Sequence, residues 1–107
     1  MKKGFIYEYY RTDNNEVVYR GHSFMKGLES VDYWHRKGNE KCKDYYWSPF
    51  RCALRTPFGK KLKNRFVDKP RAISEEKLIA LEGKRIREAR SEGQCYLNWD
   101  TNPVRFL

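Results

Sequence analysis

The chain is poor in the features that staple, anchor or repeat a fold. Its three cysteines, Cys42, Cys52 and Cys95, are odd in number and lack C-x-x-C spacing, which argues against a disulfide framework and against a structural zinc site. No apolar run approaches the roughly 18 residues that a membrane span needs, and no signal-peptide pattern is visible, so the expected compartment is the cytoplasm, with no membrane contact. There is neither an internal repeat nor a low-complexity tract. Length is also short: 107 residues read as one domain over 1–107, able to bury about two-thirds of its unfolded surface and too small for a separate target-recognition module.

Acidic residues are the scarcer charge, 14 Asp plus Glu against 23 Lys plus Arg, for a formal net charge of +9. Much of the excess lies between Lys37 and Arg71 and is interleaved with aromatics. Lys41, Lys43, Tyr45, Tyr46, Trp47, Arg51 and Arg55, followed by Lys60, Lys61, Lys63 and Arg65, suit a surface that tracks phosphates and stacks bases. A solvated basic face would produce the same charge, which by itself speaks only to nonspecific attraction.

Two β-compatible runs, Phe5 to Tyr10 and Val17 to Arg20, flank the turn chemistry of Thr12-Asp13-Asn14-Asn15, so an antiparallel hairpin is predicted. Alternation places Phe5, Tyr7 and Tyr9 on one face, with Val17 and Tyr19 sharing a face of the second strand. Gly21 is expected to close that strand and permit a tight turn. A helix is predicted from about Ser23 to Lys37, with Phe24, Leu28, Val31 and His35 along one stripe. Ser48-Pro49 opens a short helix that ends before Pro57, a third strand runs from Leu62 to Asp68, and Lys69-Pro70-Arg71 separates it from the next element. The tail from Gln94 to Leu107 is expected to be irregular, since Pro103 discourages helix. These elements make a small three-stranded antiparallel sheet flanked by helices, an α+β domain.

The last predicted helix spans Ser74 to Ser91, with Ser74 as cap, Glu75 and Glu76 in the first turn, and Gly93 past the end. Leu78, Glu82, Ile86 and Ala89 recur at helical spacing with Ile79 alongside, placing Glu82 on the inward face. An inward carboxylate requires pairing, hydrogen bonds or a metal. The alternative is a narrower stripe carried by Leu78, Ile79 and Leu81, with Glu82 at a solvated edge near Arg85.

The motifs in their order resemble the GIY-YIG nuclease family. Phe5-Ile6-Tyr7 resembles its first motif and Tyr19-Arg20-Gly21 its second, with eleven residues between the two tyrosines. Ala53-Leu54 and Phe58-Gly59 resemble its middle helix and third strand, Ala80-Leu81-Glu82 with Ile86 its glutamate helix, and Tyr96-Leu97-Asn98 its closing asparagine motif. The resemblance covers roughly residues 4 to 98. It implies metal-assisted hydrolysis of a nucleic-acid phosphodiester, with DNA as the expected partner, Mg²⁺ or Mn²⁺ as cofactor, and Glu82 as the metal ligand. Tyr7, Tyr19, His35, Arg36, Glu82 and Asn98 are the catalytic candidates on this basis. Arg20, His22, Lys26, Lys41, Lys43, Arg51, Arg55, Lys60 and Lys61 are the candidates for contacting nucleic acid.

The departures from the pattern matter as much. Where the family carries an arginine four residues ahead of His35, this chain has Val31. Arg36, Lys26, Arg51 and Arg55 are the candidate replacements for a bidentate clamp on developing phosphate charge. Tyrosine ionises near pH ~10, so either phenol could be a general base only where cations or metal favour the phenolate. His35 could equally finish the buried stripe, His22 could be an ordinary polar residue after a strand, and Asn98 could cap a turn or order the tail. The missing arginine leaves open a non-cutting alternative, a nuclease-like fold that binds nucleic acid or a host protein as an inhibitor or decoy.

Overall fold

The computed structural model describes residues 2–38, 49–54, 56–95 and 97–98. Strands β1 (Lys3–Arg11) and β2 (Val17–Ser23) form the hairpin, and β3 (Leu62–Ala72) pairs with the other side of β1, so the sheet is antiparallel in the order β2-β1-β3. Helix α1 (Leu28–Tyr33) runs into a π-helical turn (Trp34–Gly38). Helix α2 (Pro49–Leu54) precedes a 3-10 turn (Pro57–Lys61), and α3 (Glu75–Arg90) follows β3. The sheet is flanked by helices on both faces, and the fold is α+β as the sequence predicts. Among the described residues, no helix is long and apolar enough to cross a membrane.

Central strand β1 divides the core by alternation. Phe5, Tyr7 and Tyr9 cluster with Val18, Val31, Phe50 and Leu62 on the face covered by α1 and α2. Ile6 packs with Ile73 and Leu78 on the face covered by α3. Burying each large apolar side chain contributes about 1.5–3 kcal/mol. Helix α3 approaches so closely that a Cβ at Gly4 would sit 2.7 Å from Leu78 Cδ2.

Several boundaries differ from expectation, each for a local reason. The β1–β2 register shifts between Tyr9 and Tyr10, so Tyr9 faces Tyr19 while Tyr10 faces Val17. One extra residue reverses the alternation, and Val17 turns away from Tyr19 to pack with Ala89 and Cys95. Strand β3 continues through Pro70 where a separator was expected. It is an edge strand with two register shifts near that point, which tolerates a residue without an N–H. Helix α1 begins at Leu28 because Ser23 belongs to β2, its hydroxyl accepting from the Met25 N–H at 2.8 Å. Such local hydroxyl turns compete with helix.

Helix α3 carries its predicted signals. The Ser74 hydroxyl accepts from the Lys77 N–H at 3.3 Å, Glu75 and Glu76 occupy the first turn, and Gly93 adopts φ 78 beyond the end. Leu78, Ile86 and Ala89 are buried, whereas Ile79, expected to pack inward, is 47% exposed. Ionic contacts tie α3 to the sheet. Buried Glu8 accepts from Arg20 Nε at 2.9 Å and Arg65 Nε at 2.6 Å, while Arg20 Nη1 donates to the Arg85 carbonyl at 2.7 Å. Arg85 in turn grips both carboxylate oxygens of Asp68, at 2.8 and 3.0 Å.

The Arg85 hydrogen bonds hold the Asp68 carboxyl below its ordinary range. A depressed folded-state pKa makes this contribution complete above the unfolded value near ~3.9 and removes it as pH falls through the folded value. Asp68→Asn is therefore expected to lose about 1–2 kcal/mol of stability at pH 7 and progressively less below pH ~4. Urea unfolding of both proteins across that range checks this, and a difference constant with pH would refute it.

Candidate active site

Tyr7 and Gly21 face each other across β1 and β2. A Cβ at position 21 would lie 2.6 Å from the Tyr7 hydroxyl and 3.1 Å from Tyr19 Cε1. Gly21 therefore makes room for a phenol in mid-strand. It does not close the strand, which continues to Ser23. The Tyr7 hydroxyl lies 2.7 Å from His35 Nε2. The two phenol rings are 6.2 Å apart on one face of the sheet.

His35 reaches this pair from the π-helical turn, and its side chain is buried. An extra residue in such a turn redirects side chains relative to a continuous α-helix. Phe50 of α2 stacks on Tyr19 with centroids 3.9 Å apart and a 11° interplanar angle. Tyr9 donates to Asp32 Oδ1 at 2.8 Å, fixing α1 against the sheet.

Glu82 approaches from α3, on the other side of the sheet, at the open end of edge strand β2. Its Oε2 lies 2.5 Å from His22 Nδ1, with both side chains half-buried. Tyr7, Tyr19, His22, His35 and Glu82 all line one cleft of about 290 Å³, with Ser23, Met25, Val31 and Trp34 completing its wall. A larger cavity of about 430 Å³ lies between α1 and β3 around Asp32 and Arg36. Those two side chains pair with each other at 2.8 Å, and Glu29, Tyr33 and Lys63 also line that cavity; the two tyrosines, two histidines and Glu82 belong to the smaller cleft.

Burial, then the neighbouring Tyr19 and Tyr9 phenols and the Glu82 carboxylate, raise the Tyr7 pKa well above its ordinary value. Tyr7 is consequently a neutral hydrogen-bonding phenol at physiological pH, and the environment opposes the phenolate that a base role would require. The hydrogen bond to Glu82 raises the His22 pKa against an opposing effect of burial. Imidazolium is the form this pair favours.

Other expected site residues stand elsewhere. Arg36 donates to Asp32 and to the carbonyls of Gly59 and Leu62, at 3.1 Å each for the carbonyls, so it braces α1 against the start of β3. Arg20 is engaged with Glu8 beneath α3. Asn98 clamps the Arg20 backbone, accepting its N–H at 2.9 Å and donating to its carbonyl at 2.7 Å. Together with the Cys95 and Leu97 N–H groups, which bond to Val17 and Val18 carbonyls, this covers the β2 edge up to the cleft. Lys60 and Lys61 lie near the hairpin turn, where the Thr12 N–H bonds the Lys61 carbonyl at 2.8 Å. Lys26 follows Met25 at the rim and is exposed. Lys41, Lys43 and Arg55 lie outside the described residues, and Arg51 is placed only as part of α2.

Val31 is buried in the cleft wall, at the position where an arginine was expected. Among the described residues, no Arg or Lys lines the cleft. The sequence reading missed Ser23, Met25 and Trp34; an aromatic beside the inward His35 but off the apolar stripe was the available signal for Trp34. No family model matches the chain, and neither a curated protein nor a solved structure matches it.

The donor set at Glu82 is narrow. Among the described residues, no three His, Cys, Asp or Glu side chains converge to hold a metal ion. One half-exposed carboxylate beside a histidine suits a hard ion that keeps most of its waters, rather than a cage of protein ligands. Gly21→Ala is expected to destabilise the fold by about 1–3 kcal/mol through overpacking against the Tyr7 ring. Urea unfolding checks the assignment of Gly21; full stability with an unchanged Tyr7 environment by aromatic NMR would overturn it.

Proposed function

We propose that the chain is a divalent-metal-dependent endonuclease that hydrolyses nucleic-acid phosphodiester bonds, in the manner of the GIY-YIG family its motifs resemble. One observation carries this reading. Tyr7, Tyr19, His35 and Glu82, contributed by β1, β2, the π-helical turn and α3, line a single cleft. Side chains of this chemistry from four elements favour a reactive site over independent packing roles.

Glu82 and waters would hold Mg²⁺ or Mn²⁺, which when bound supplies Lewis-acid polarisation of a phosphate oxygen. The remaining roles belong to the chain. Tyr7 is fixed by His35, with the Tyr19 ring beside it, so the two phenols would orient the attacking water and a non-bridging oxygen by hydrogen bonding. His22, held by Glu82, would place a ring N–H donor beside the anionic transition state. DNA is the substrate to test first.

Val31 in the cleft wall favours a second reading, in which the chain binds nucleic acid or a host protein without cutting, as an inhibitor or decoy. Plasmid nicking with and without Mg²⁺ or Mn²⁺ separates the two. The nuclease reading expects divalent-dependent product and a loss of about 10²-fold or more in Glu82→Gln with folding and DNA affinity retained. Undiminished cleavage by that variant removes Glu82 from the mechanism, and binding in chelator with no product under any divalent ion favours the second reading.

Lys60 and Lys61 give a separate expectation. Lys61 meets Thr12, about 17 Å along the chain from Tyr7 at ~3.3 Å per residue, too far to act in the cleft but placed for phosphate contact. A Lys60→Ala, Lys61→Ala double variant should bind DNA more weakly and flatten the log affinity against log salt slope by up to about 1.8, two phosphates at ~0.9 each. Its single-turnover cleavage rate at saturating DNA should remain that of the parent protein; a slowed chemical step would place these lysines in the site.

A further inference from the structure

We infer that the rim of the cleft is a stacking platform for one unpaired base, formed by Trp34 with Met25, and that the chain therefore selects single-stranded or locally unpaired nucleic acid. This rests on the reading of the cleft as a nucleic-acid site. Trp34 and Met25 are 43% and 41% exposed, and both line the same cleft as the two tyrosines. Large apolar side chains exposed together along one cleft suit a contact surface.

Trp34 is also held in place. Its ring meets His35 at 5.2 Å with a 72° interplanar angle, so the residue that fixes Tyr7 orients the indole as well. An oriented aromatic loses little conformational entropy on binding. A π-face accepts any base, but in a duplex both faces of each base are already covered by its neighbours. Only an unpaired base, splayed from its strand, can reach the indole while its phosphate enters the cleft.

Charge points the same way. Among the described residues the cleft wall carries Glu82 and no Arg or Lys, so a non-ionic stacking contact at the rim would add to the little ionic attraction those residues supply. Exposed Lys26, next to Met25, is placed to meet a neighbouring phosphate. A cleft of about 290 Å³ is on the scale of a nucleotide rather than a duplex.

The test measures fluorescence anisotropy of a labelled oligothymidylate and of a duplex of equal length, in chelator, for the parent protein, Trp34→Ala, Trp34→Leu and Trp34→Phe. Trp34→Ala and Trp34→Leu should weaken single-strand binding by about 5- to 150-fold and change duplex binding less than about twofold, while Trp34→Phe keeps most of the single-strand affinity. Quenching of a 2-aminopurine base in the single strand should persist in Trp34→Phe and vanish in Trp34→Leu. Equal losses on both substrates, or no loss on either, would overturn the platform. Trp34→Leu retains bulk and serves if the alanine variant does not fold. Because the readout is binding without divalent ions, a chain that never cuts DNA leaves this outcome intact, and absence of binding to either substrate removes both readings.

Discussion

The Tyr7 phenol occupies the volume that a side chain at position 21 would need, and the arrangement of the cleft depends on that substitution of space. With glycine opposite it, Tyr7 can lie across the face of β2 and reach His35. Without that room the phenol would leave its rotamer or push the strands apart, since well-packed interiors absorb an extra methyl group only by strain. The next residue along the edge strand, His22, is the one that Glu82 meets from the opposite layer. Two layers that a sheet normally separates thus contribute to one cleft.

Central strand β1 bears polar groups on both faces, and each is satisfied by a different layer. Tyr7 and Tyr9 are answered by His35 and Asp32 on one side, Glu8 by Arg20 and Arg65 on the other. Leaving a buried polar group without a partner costs about 1–3 kcal/mol, whereas a made hydrogen bond gains only about 0.5–1.5 kcal/mol. These networks therefore select one arrangement more than they add stability. The segment carrying Cys95, Leu97 and Asn98 completes the pattern by occupying the β2 edge as far as Arg20. An edge covered there and open beyond it leaves His22 and Glu82 accessible.

What could be read from the residues followed from short-range rules. The hairpin, the third strand's start, the Ser74 cap and the inward Leu78 and Ile86 all express alternation, turn chemistry or helical period within a dozen residues. The bulge at Tyr9 and Tyr10 could not be read, because a register shift depends on the partner strand; it moved Val17 to the opposite face. Pro70 misled for a related reason, its meaning depending on whether β3 is an edge. Of the site, the two phenols, His35 and Glu82 were legible from motif order, yet the fates of Arg36 and Asn98 were not. Arg36 meets carbonyls more than twenty residues away in sequence and Asn98 meets the backbone of β2, and no local pattern announces such contacts.

Electrostatics limits what can occupy the cleft. Glu82 repels a phosphate, and at about 4 Å in an environment of effective dielectric ~20 two unit charges interact by about 4 kcal/mol. His22 is hydrogen bonded to that carboxylate, and the bond raises the His22 pKa, so protonation of His22 would offset much of the penalty where it sits. The compensation is local, and it leaves little net field to draw in a polyanion. On the proposed reading, long-range attraction of a polyanion would come from the basic surface beyond the cleft, including exposed lysines such as Lys26, Lys60 and Lys61. On the proposed nuclease reading, affinity and chemistry would fall to different residues, so substitutions on the basic surface and in the cleft should act independently of each other.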